Sequence, residues 1–240
     1  MGNAGELTGV FLQARIDSTR LPGKALLPLA GRTVIEHVME ALAGIDADVH
    51  VLLTDDSGFD ALKPYAENCG FDIFRGPKDD VLRRFALAAR HYQPEYIIRA
   101  TGDNPLVSPF LAGTILSRHR SAKADYSGFS GGPLGSGVEV VNAGALLRAE
   151  KEAEESYERE HVTPFIYRRP GEFRIHRPLV PKEYYMPDAR ITLDTEADYE
   201  FIREIFSELY TGRPIPVDRL VRWLKSPAGR RAAGDTRAAS

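Results

Sequence analysis

A cationic loop near the start of the chain carries the strongest chemical signal in the sequence. It spans residues 13–24, QARIDSTRLPGK, and contains Arg15, Arg20 and Lys24 directly after a short apolar run. Gly23 permits a close approach of the backbone to a bound group. Three cations at the end of a strand suit a triphosphate, whose charge must be neutralised before a nucleophile can approach it. The alternative is a solvated basic loop, and a Walker loop is excluded because GxxxxGK[ST] is absent.

Two aspartates follow apolar segments that lie far apart in the chain. Asp103 comes after the run at residues 96–101, with Gly102 leaving room beside it, and Asp194 ends the run that begins at residue 190. Either residue alone could be the cap of a turn or helix. As a pair they suit Mg²⁺, a hard cation that proteins usually hold with one or two carboxylates plus phosphate oxygens. The sequence therefore predicts a magnesium site formed by these two residues.

Three further polar segments each allow a structural and a functional interpretation. The charged turn at residues 75–83 could provide capping and ion pairing, or it could contact the base or ribose of a nucleotide. Residues 158–161, EREH, could be a solvated helix start or a polar wall for a second substrate. Glu139 lies in an apolar run, where a carboxylate usually needs a partner.

The elements that must position these residues alternate between strands and helices. Hydrophobic patterning predicts strands at residues 9–14, 49–54, 71–74 and 96–101, separated by helices that start at Thr33, at Phe59 and after Asp79 or Asp80. The alternation predicts an α/β fold with a mostly parallel sheet covered by helices on both faces. In such sheets ligands bind outside the carboxyl ends of the strands, so the loops that follow these four strands should line the site.

The second half of the chain is less regular but continues the same domain. We expect one domain over residues 1–225, with one half at about 9–125 and a second half at about 126–225. The patterns there predict a glycine-rich flexible loop at 128–137, strands at 138–141 and 190–194, and helices at 142–154, at 158–168 and after Thr195. Residues 226–240 are small, basic and without periodicity, which predicts a disordered tail.

The composition narrows the class of protein. The chain has 240 residues, of which 43% are hydrophobic, and a formal net charge of −3, so broad nucleic-acid binding is not expected. The single cysteine, Cys69, excludes an intrachain disulfide framework and a cysteine-rich zinc site. No signal-peptide pattern and no run of about 18 apolar residues is present, so we expect a cytoplasmic protein without a membrane partner.

Five motifs together resemble a known family. They are QARIDSTRLPGKALLPLAG, FRGPKDDVLRRF, RATGDNPLV, EREHVTPFIY and RITLDTEADYEFI, and they extend from residue 13 to about residue 202. The chain resembles the cytidylyltransferase family that includes CMP-KDO synthetase and acylneuraminate cytidylyltransferase, and it is most similar to the branch called spore coat polysaccharide biosynthesis protein F. It differs from the CMP-KDO synthetases in two places near the expected base pocket, at Thr101, where they carry Gln, and at residues 77–83, where they carry a Ser-Gly-Thr-Asp-Arg stretch.

The resemblance implies a GT-A-like, Rossmann-like nucleotidyltransferase fold with a mostly parallel mixed sheet. It makes residues 9–125 the nucleotide-binding half and residues 126–225 the sugar-binding and dimerisation half. It implies a Mg²⁺-dependent, homodimeric enzyme of cell-surface polysaccharide biosynthesis that transfers CMP from CTP to a sugar acid and releases pyrophosphate. It assigns catalysis to Arg15, Lys24 and Asp103, and the metal to Asp103 and Asp194. The implied nucleotide-binding residues are Leu12, Gln13, Ala14, Arg15, Arg20, Lys24, Asp80, Arg83 and Thr101. The implied acceptor-binding residues are Asn104, Glu139, Arg159 and His161.

Two other function classes compete with this interpretation. A GT-A glycosyltransferase would share the sheet and metal but normally carries an Asp-x-Asp motif, and the pair at residues 46 and 48 precedes the second predicted strand, at its wrong end. The other class is a non-catalytic nucleotide-binding protein of the same fold. Such a protein would not need Arg15, Lys24, Asp103 and Asp194, and the presence of all four argues against it. For the expected dimer, the candidate interface residues are Phe165, Ile166, Tyr167, Tyr184 and Tyr185.

Overall fold

A seven-stranded mixed sheet forms the centre of the fold. The computed structural model describes residues 6–238, with side chains described up to residue 233. The sheet contains β1 (Thr8–Gln13), β4 (Val49–Thr54), β5 (Asp72–Arg75), β6 (Tyr96–Thr101), β7 (Tyr126–Gly128), β8 (Glu139–Asn142) and β9 (Ile175–His176) in the order β5-β4-β1-β6-β8-β7-β9. A separate hairpin consists of β2 (Pro28–Leu29) and β3 (Arg32–Thr33).

The predicted parallel half of the sheet is confirmed. Strands β5, β4, β1 and β6 are parallel neighbours, whereas β8 runs antiparallel to both β6 and β7. The register pairs Gln13 at the end of β1 with Leu53 on one side and Thr101 on the other. The carboxyl ends of the three strands therefore meet at one edge, which is where a ligand site is expected.

Helices cover both faces of the sheet, as the sequence predicts. They are α1 (Val34–Ala43), α2 (Asp56–Asn68), α3 (Val81–Tyr92), α4 (Pro109–Ala122), α5 (Ala143–Glu152), α6 (Ser156–His161), α7 (Pro164–Tyr167), α8 (Glu196–Leu209), α9 (Val217–Leu224) and α10 (Pro227–Ala238). Val10 and Leu12 of β1 pack with α1 and α4, and Phe11 packs on the opposite face with α3 and α5. No helix within residues 6–238 is both long enough and apolar enough to span a bilayer.

Polar caps fix where the site-forming helices begin. Thr33 caps α1 and Thr195 caps α8, each in a capping box. In both boxes the carboxylate of the acidic residue at the third helical position accepts a hydrogen bond from the backbone N–H of the capping threonine. The side chain of Asp80 accepts a hydrogen bond from the backbone N–H of Arg83 at the start of α3. All three caps agree with the sequence-based expectation.

The second half differs from the prediction in two internal segments. The helix expected at 158–168 is two short helices, α6 and α7, because Val162 has a φ of 74°, which ends α6. The strand expected at 190–194 is reduced to a single bridge between Leu134 and Arg190. The sequence pattern also missed β7, β9, α4 and α9.

The C-terminal segment is corrected from a disordered tail to a helix. Residues 227–238 form α10, and Ala232 is only 4% exposed where it packs into the apolar cluster of α8 and α9. Alanine has the highest intrinsic helix propensity, so a segment without apolar periodicity can still form a helix when one small face is covered. Residues 239 and 240, the end of the predicted tail, lie outside the described residues.

Candidate active site

A pocket lies at the sheet edge where β1 and β6 end. We call it the main pocket. The cationic loop forms one side, and the starts of α3 and α8 and the end of α6 contribute the others. Its lining residues are Gln13, Ala14, Arg15, Ser18, Thr19, Arg20, Lys24, Ala25, Lys78, Val81, Arg84, Arg99, Thr101, Gly102, Asp103, Glu160, His161 and Asp194.

The cationic loop is folded back so that its last cation enters this pocket. The backbone N–H of Gly23 donates to the carbonyl of Ile16 at 3.1 Å, which closes the loop across seven residues. Gly23 has a φ of 66°, a left-handed conformation that residues with a Cβ rarely adopt. A short 3₁₀ turn, Lys24–Leu26, starts directly after it. The glycine thus sets the direction in which Lys24 leaves the loop.

Lys24 joins the two predicted metal ligands. Its Nζ lies 2.9 Å from Oδ2 of Asp103, 3.1 Å from Oδ1 of Asp194 and 2.7 Å from the carbonyl oxygen of Leu193. These three contacts match the three N–H donors of an ammonium group. The two carboxylates, which are far apart in sequence, therefore lie on either side of one buried cation, whose side chain is 13% exposed.

Asp103 is oriented by its neighbours on the tight turn after β6. The hydroxyl of Thr101 donates to Oδ1 of Asp103 at 2.7 Å and accepts from Nδ2 of Asn104 at 2.7 Å. The N–H of Gly102 donates to the carbonyl of Gln13 at 2.8 Å. A Cβ on Gly102 would lie 2.9 Å from Cβ of Ala14, so only glycine lets the two strand ends approach this closely.

Asp194 lies among more cations than any other carboxylate of the pocket. Its Oδ1 accepts from Arg20 at 2.9 Å, its Oδ2 is bound by Arg190, and Lys24 contacts it as described. Burial alone would raise the pKa of this carboxyl, but the hydrogen bond from Lys24 and the charges of Lys24 and Arg20 outweigh burial, so the pKa lies below its usual value. Asp194 is therefore ionised at neutral pH.

The donor set fits a small, hard divalent cation. Asp103 and Asp194 both approach the same point, which Lys24 marks. Among the described residues no group of three or more His, Cys, Asp or Glu side chains could hold a metal by itself. Two carboxylates that need further oxygen ligands from a substrate are the arrangement typical of Mg²⁺ bound together with phosphates.

The structure brings most of the predicted site residues together. The predicted residues that line the main pocket are Gln13, Ala14, Arg15, Arg20, Lys24, Thr101, Asp103, His161 and Asp194. Leu12 is fully buried in the core beneath the pocket, on the strand that carries Gln13. Asn104 lies next to Asp103 and holds Thr101.

Six predicted site residues do not line the main pocket, namely Leu12 and Asn104, which are described above, and four others. Asp80 and Arg159 bind each other, with Oδ2 of Asp80 accepting from Nε at 2.8 Å and Nη2 at 2.6 Å. Arg159 also donates to the carbonyls of Glu150 and Ala153, so the pair ties α3 to the connection between α5 and α6. Arg83 is exposed to solvent on α3.

Glu139, the fourth, has the partners that its sequence context required. Its carboxylate accepts from Arg99 at 2.5 Å, from the hydroxyl of Tyr126 at 2.7 Å and from the hydroxyl of Thr163 at 3.0 Å. The negative charge of Glu139 is thereby neutralised by Arg99, and it is Arg99 that lines the main pocket. Arg99 also donates to Oε1 of Gln13 at 2.9 Å.

The sequence interpretation missed Arg99 and Arg84. Arg99 lies two residues before Thr101, so the period-two alternation of a strand places both on one face. Arg84 lies among Val81, Leu82 and Phe85 on the buried face of α3 and is 3% exposed. A cation on an otherwise apolar face was the signal available in both cases.

Comparison with known proteins identifies the family. A family model described as Cytidylyltransferase matches residues 10–216. The chain is 36% identical over 205 residues to the spore coat polysaccharide biosynthesis protein SpsF of Bacillus subtilis, which covers 82% of this chain and 85% of the relative. It is 32% identical over 143 residues to a 3-deoxy-manno-octulosonate cytidylyltransferase of Aeromonas hydrophila, covering 57% of this chain and 56% of the relative.

Solved structures share the fold. A cytidylyltransferase from Leptospira borgpetersenii superposes with a TM-score of 0.84 at 26% identity, over 91% of this chain and 93% of that one. A CMP:2-keto-3-deoxy-manno-octonic acid synthetase complexed with CTP gives 0.66 at 17% identity, over 84% and 99%. Rv0371C of Mycobacterium tuberculosis, complexed with manganese, gives 0.59 at 20% identity, over 83% and 98%. The sheet, the sequence match over residues 10–216 and the 36% identity to SpsF show that this chain belongs to the cytidylyltransferase family.

Proposed function

We propose that this protein is a Mg²⁺-dependent cytidylyltransferase that transfers CMP from CTP to a sugar acid and releases pyrophosphate. The observation that carries the proposal is the convergence of Asp103 and Asp194 on the ammonium group of Lys24, inside a pocket lined by further cations. The family membership, and the relatives named for sugar-acid cytidylyltransfer, supply the base and the acceptor class. We place the reaction in the cytoplasm, where nucleoside triphosphates are available, and in the biosynthesis of cell-surface polysaccharide, by analogy with SpsF.

The cationic loop is assigned to the triphosphate. Arg15 is largely exposed, with its side chain 55% accessible and Asp17 4.0 Å away, so its guanidinium is free to meet an incoming anion. Arg20 and Lys24 both contact Asp194 and can exchange those contacts for phosphate oxygens. Together the three side chains offset the charge that develops on the leaving pyrophosphate.

The reaction is an in-line displacement at the α-phosphorus. The oxygen of an acceptor hydroxyl forms the new P–O bond, the bond to the β-phosphate bridging oxygen breaks, and the hydroxyl proton is released. Mg²⁺ held by Asp103 and Asp194 would take up charge on the phosphate oxygens. Thr101 fixes the orientation of Asp103, and Lys24 neutralises charge on the leaving side. The hydrogen bond between His119 and Ser127 is fully buried, and neither residue lines the main pocket, so it supplies no nucleophile there and direct transfer is the simplest path.

The acceptor is assigned to the part of the main pocket formed by His161 and Arg99. Asn104, which follows Asp103 and binds Thr101, is assigned to the same substrate. Glu139 is assigned a positioning role, because its carboxylate binds the guanidinium of Arg99 and holds it in place. We assign the pair of Asp80 and Arg159 to holding α3 against α6 rather than to contact with substrate.

The glycosyltransferase alternative is weakened by the position of its metal motif. Oδ2 of Asp48 accepts a hydrogen bond from the backbone N–H of Thr8 at 2.7 Å. Thr8 is the first residue of β1, so the Asp46-Ala-Asp48 pair lies at the amino end of the strands, across the sheet from the main pocket. A metal there could not reach a nucleotide bound at the carboxyl ends.

A pyrophosphate-release screen tests the proposed reaction. Each of CTP, UTP, ATP and GTP is incubated with Mg²⁺ and a panel of sugar acids, with each component also omitted in turn. We expect pyrophosphate only when CTP and one of the acceptors are both present. Transfer of a sugar from a finished CMP-sugar, without pyrophosphate chemistry in either direction, would replace the synthetase assignment with the glycosyltransferase one.

Nucleotide binding should also stabilise the fold in a base-selective way. A ligand present at about 100 times its Kd stabilises the folded state by about 2.7 kcal/mol, which for a domain of this size is roughly 5–10 °C in Tm. Thermal unfolding with Mg²⁺ should therefore show a larger shift for CTP than for the other three triphosphates. A larger shift with UTP or GTP would overturn the cytosine assignment and leave nucleotidyl transfer standing.

We further propose that the enzyme is a homodimer, with an interface that shares only part of the residues that the sequence suggested. Phe165 and Ile166 are buried in the core and cannot cover a partner. Exposed apolar side chains are the better candidates; they are Phe110 on α4 and, in the second half, Leu134, Leu179 and the originally suggested Tyr185. Light scattering at micromolar concentration should give a dimeric mass, and Leu179→Glu should shift that mass toward the monomer. A monomeric wild-type protein would contradict the proposal.

A further inference from the structure

Arg84 is a buried cation without a carboxylate partner. The residue is 3% exposed. Within the described part of the chain its guanidinium is hydrogen-bonded to carbonyl oxygens alone, from Nε to Pro77 at 3.1 Å and from Nη2 to Pro77 at 2.6 Å and to Lys78 at 3.0 Å. Removing a charge from water is costly unless it is paired, so this position lacks part of its compensation.

Every other lysine or arginine of the main pocket has such a partner among the described side chains. A carboxylate lies within 4.0 Å of each of the other five, and the pairs are Arg15–Asp17, Arg20–Asp194, Lys24–Asp103, Lys78–Asp17 and Arg99–Glu139. Arg84 lines the same pocket and is the most buried of the six cations. The charge that would compensate it is therefore expected from the pocket itself.

The surroundings of Arg84 indicate what kind of ligand supplies that charge. Burial is the largest effect on the pKa of its guanidinium and lowers it. The charges of Asp55 and Asp17 raise this pKa and the charge of Arg15 lowers it, but among the described residues no carboxylate forms an ion pair with Arg84. Nη1 makes no hydrogen bond to any described residue, which leaves one edge of the guanidinium for a ligand. An anion with several oxygens between Arg15 and Arg84 would satisfy both guanidinium groups.

We infer that Arg84 is a binding residue for the phosphate chain of the nucleotide donor, whereas the sequence-based interpretation named only its neighbour Arg83, which it placed near the nucleoside. The inference rests on the proposed triphosphate donor. The backbone supports the assignment, because Arg84 packs against Gly76, where a Cβ would lie 2.8 Å from its Cγ. Gly76 and the carbonyls of residues 77 and 78 therefore fix the guanidinium at the floor of the pocket before any ligand arrives.

The test uses inorganic tripolyphosphate, which has neither base nor sugar. Its affinity in the presence of Mg²⁺ is measured by isothermal titration calorimetry for the wild type, Arg84→Gln and the matched control Arg90→Gln, which changes an exposed arginine near the end of the same helix that pairs with Glu150. We expect Arg84→Gln to weaken binding about tenfold or more, the effect of losing a charge-assisted hydrogen bond, and the control to stay within about twofold. Cytidine, which has no phosphate, should bind the two variants equally.

A purely structural role of Arg84 predicts a different result. If the residue only holds the loop at residues 77–78, Arg84→Gln lowers Tm and leaves the tripolyphosphate affinity of the folded protein unchanged, which would overturn the inference. If Arg84→Gln does not fold, the measurement passes to the wild type, where tripolyphosphate should shift the Nη signals of Arg84 in ¹⁵N NMR; no shift would also overturn it. If CTP yields no pyrophosphate in the screen but the tripolyphosphate affinity still depends on Arg84, the proposed function is wrong and the inferred anion site still stands.

Discussion

Asp194→Asn and Asp103→Asn are each expected to lower kcat by at least about three orders of magnitude. A catalytic metal supplies several kcal/mol of charge stabilisation, and about 1.4 kcal/mol corresponds to a factor of ten in rate. Both carboxylates converge on the same point, so neither replaces the other. The rate of pyrophosphate release at saturating CTP measures the effect, and robust activity in Asp194→Asn would remove that residue from the metal site.

Two controls separate loss of the metal from loss of the fold. Asp218→Asn removes a surface carboxylate that pairs with Arg222 on α9, and it should leave kcat unchanged.

The second control is the pH dependence of stability, which follows from the lowered pKa of Asp194. Its contribution to the free energy of unfolding is fully present above the ordinary carboxyl pKa and is lost as the pH falls through the lowered one. Asp194→Asn should lack this part of the acid dependence, because an amide does not titrate in that range.

Lys24→Ala is expected to lower kcat/KM by roughly two to three orders of magnitude, comparable to the loss of one preorganised donor in other enzymes. The geometry adds a second and opposite effect. Because Lys24 lies between Asp103 and Asp194, its removal leaves two carboxylates without their shared cation. Divalent metal should then bind the nucleotide-free variant more tightly than the wild type, even though turnover falls.

Both effects can be measured on the same preparations. Pyrophosphate release gives kcat/KM, and titration with Mn²⁺ followed by electron paramagnetic resonance gives the metal affinity without nucleotide. Lys63→Ala, which removes an exposed lysine paired with Glu67 on α2, is the matched control and should change neither quantity. Wild-type kcat/KM in Lys24→Ala would exclude Lys24 from catalysis, and an unchanged metal affinity would show that it does not compete for the carboxylates.

Local rules were enough to predict the part of the site that follows strand ends. Arg15, Lys24 and Asp103 each come after a strand of the parallel half, and the carboxyl ends of parallel strands meet at one edge whatever the rest of the fold does. The alternation of strands and helices in the sequence also predicted the parallel half of the sheet. The antiparallel half was less predictable because β7 and β9 are only three and two residues long.

Contacts across the fold account for what the sequence did not show. Asp80 and Arg159 are separated by 79 residues, and nothing in either segment indicates that they bind each other. Arg83 and Arg84 are chemically identical neighbours, and only the packing of α3 against the sheet decides which of them reaches the pocket. The composition of the segment ending at Asp194 is that of a strand, but within the described part of the chain its backbone pairs only with Leu134, and at Leu193 it is bound by Lys24 and Asp103.

The contact between Lys24 and Asp194 has a consequence for the protein while it is being made. The two residues are 170 positions apart in the chain. At a synthesis rate of about 5–20 residues per second, roughly 10–30 s pass between the translation of the first and that of the second. In the later part of this interval the nascent chain carries both the lysine and the turn with Asp103, but it lacks the second carboxylate. A chain that ends before residue 194 would therefore contain the cationic loop but could not form the carboxylate pair.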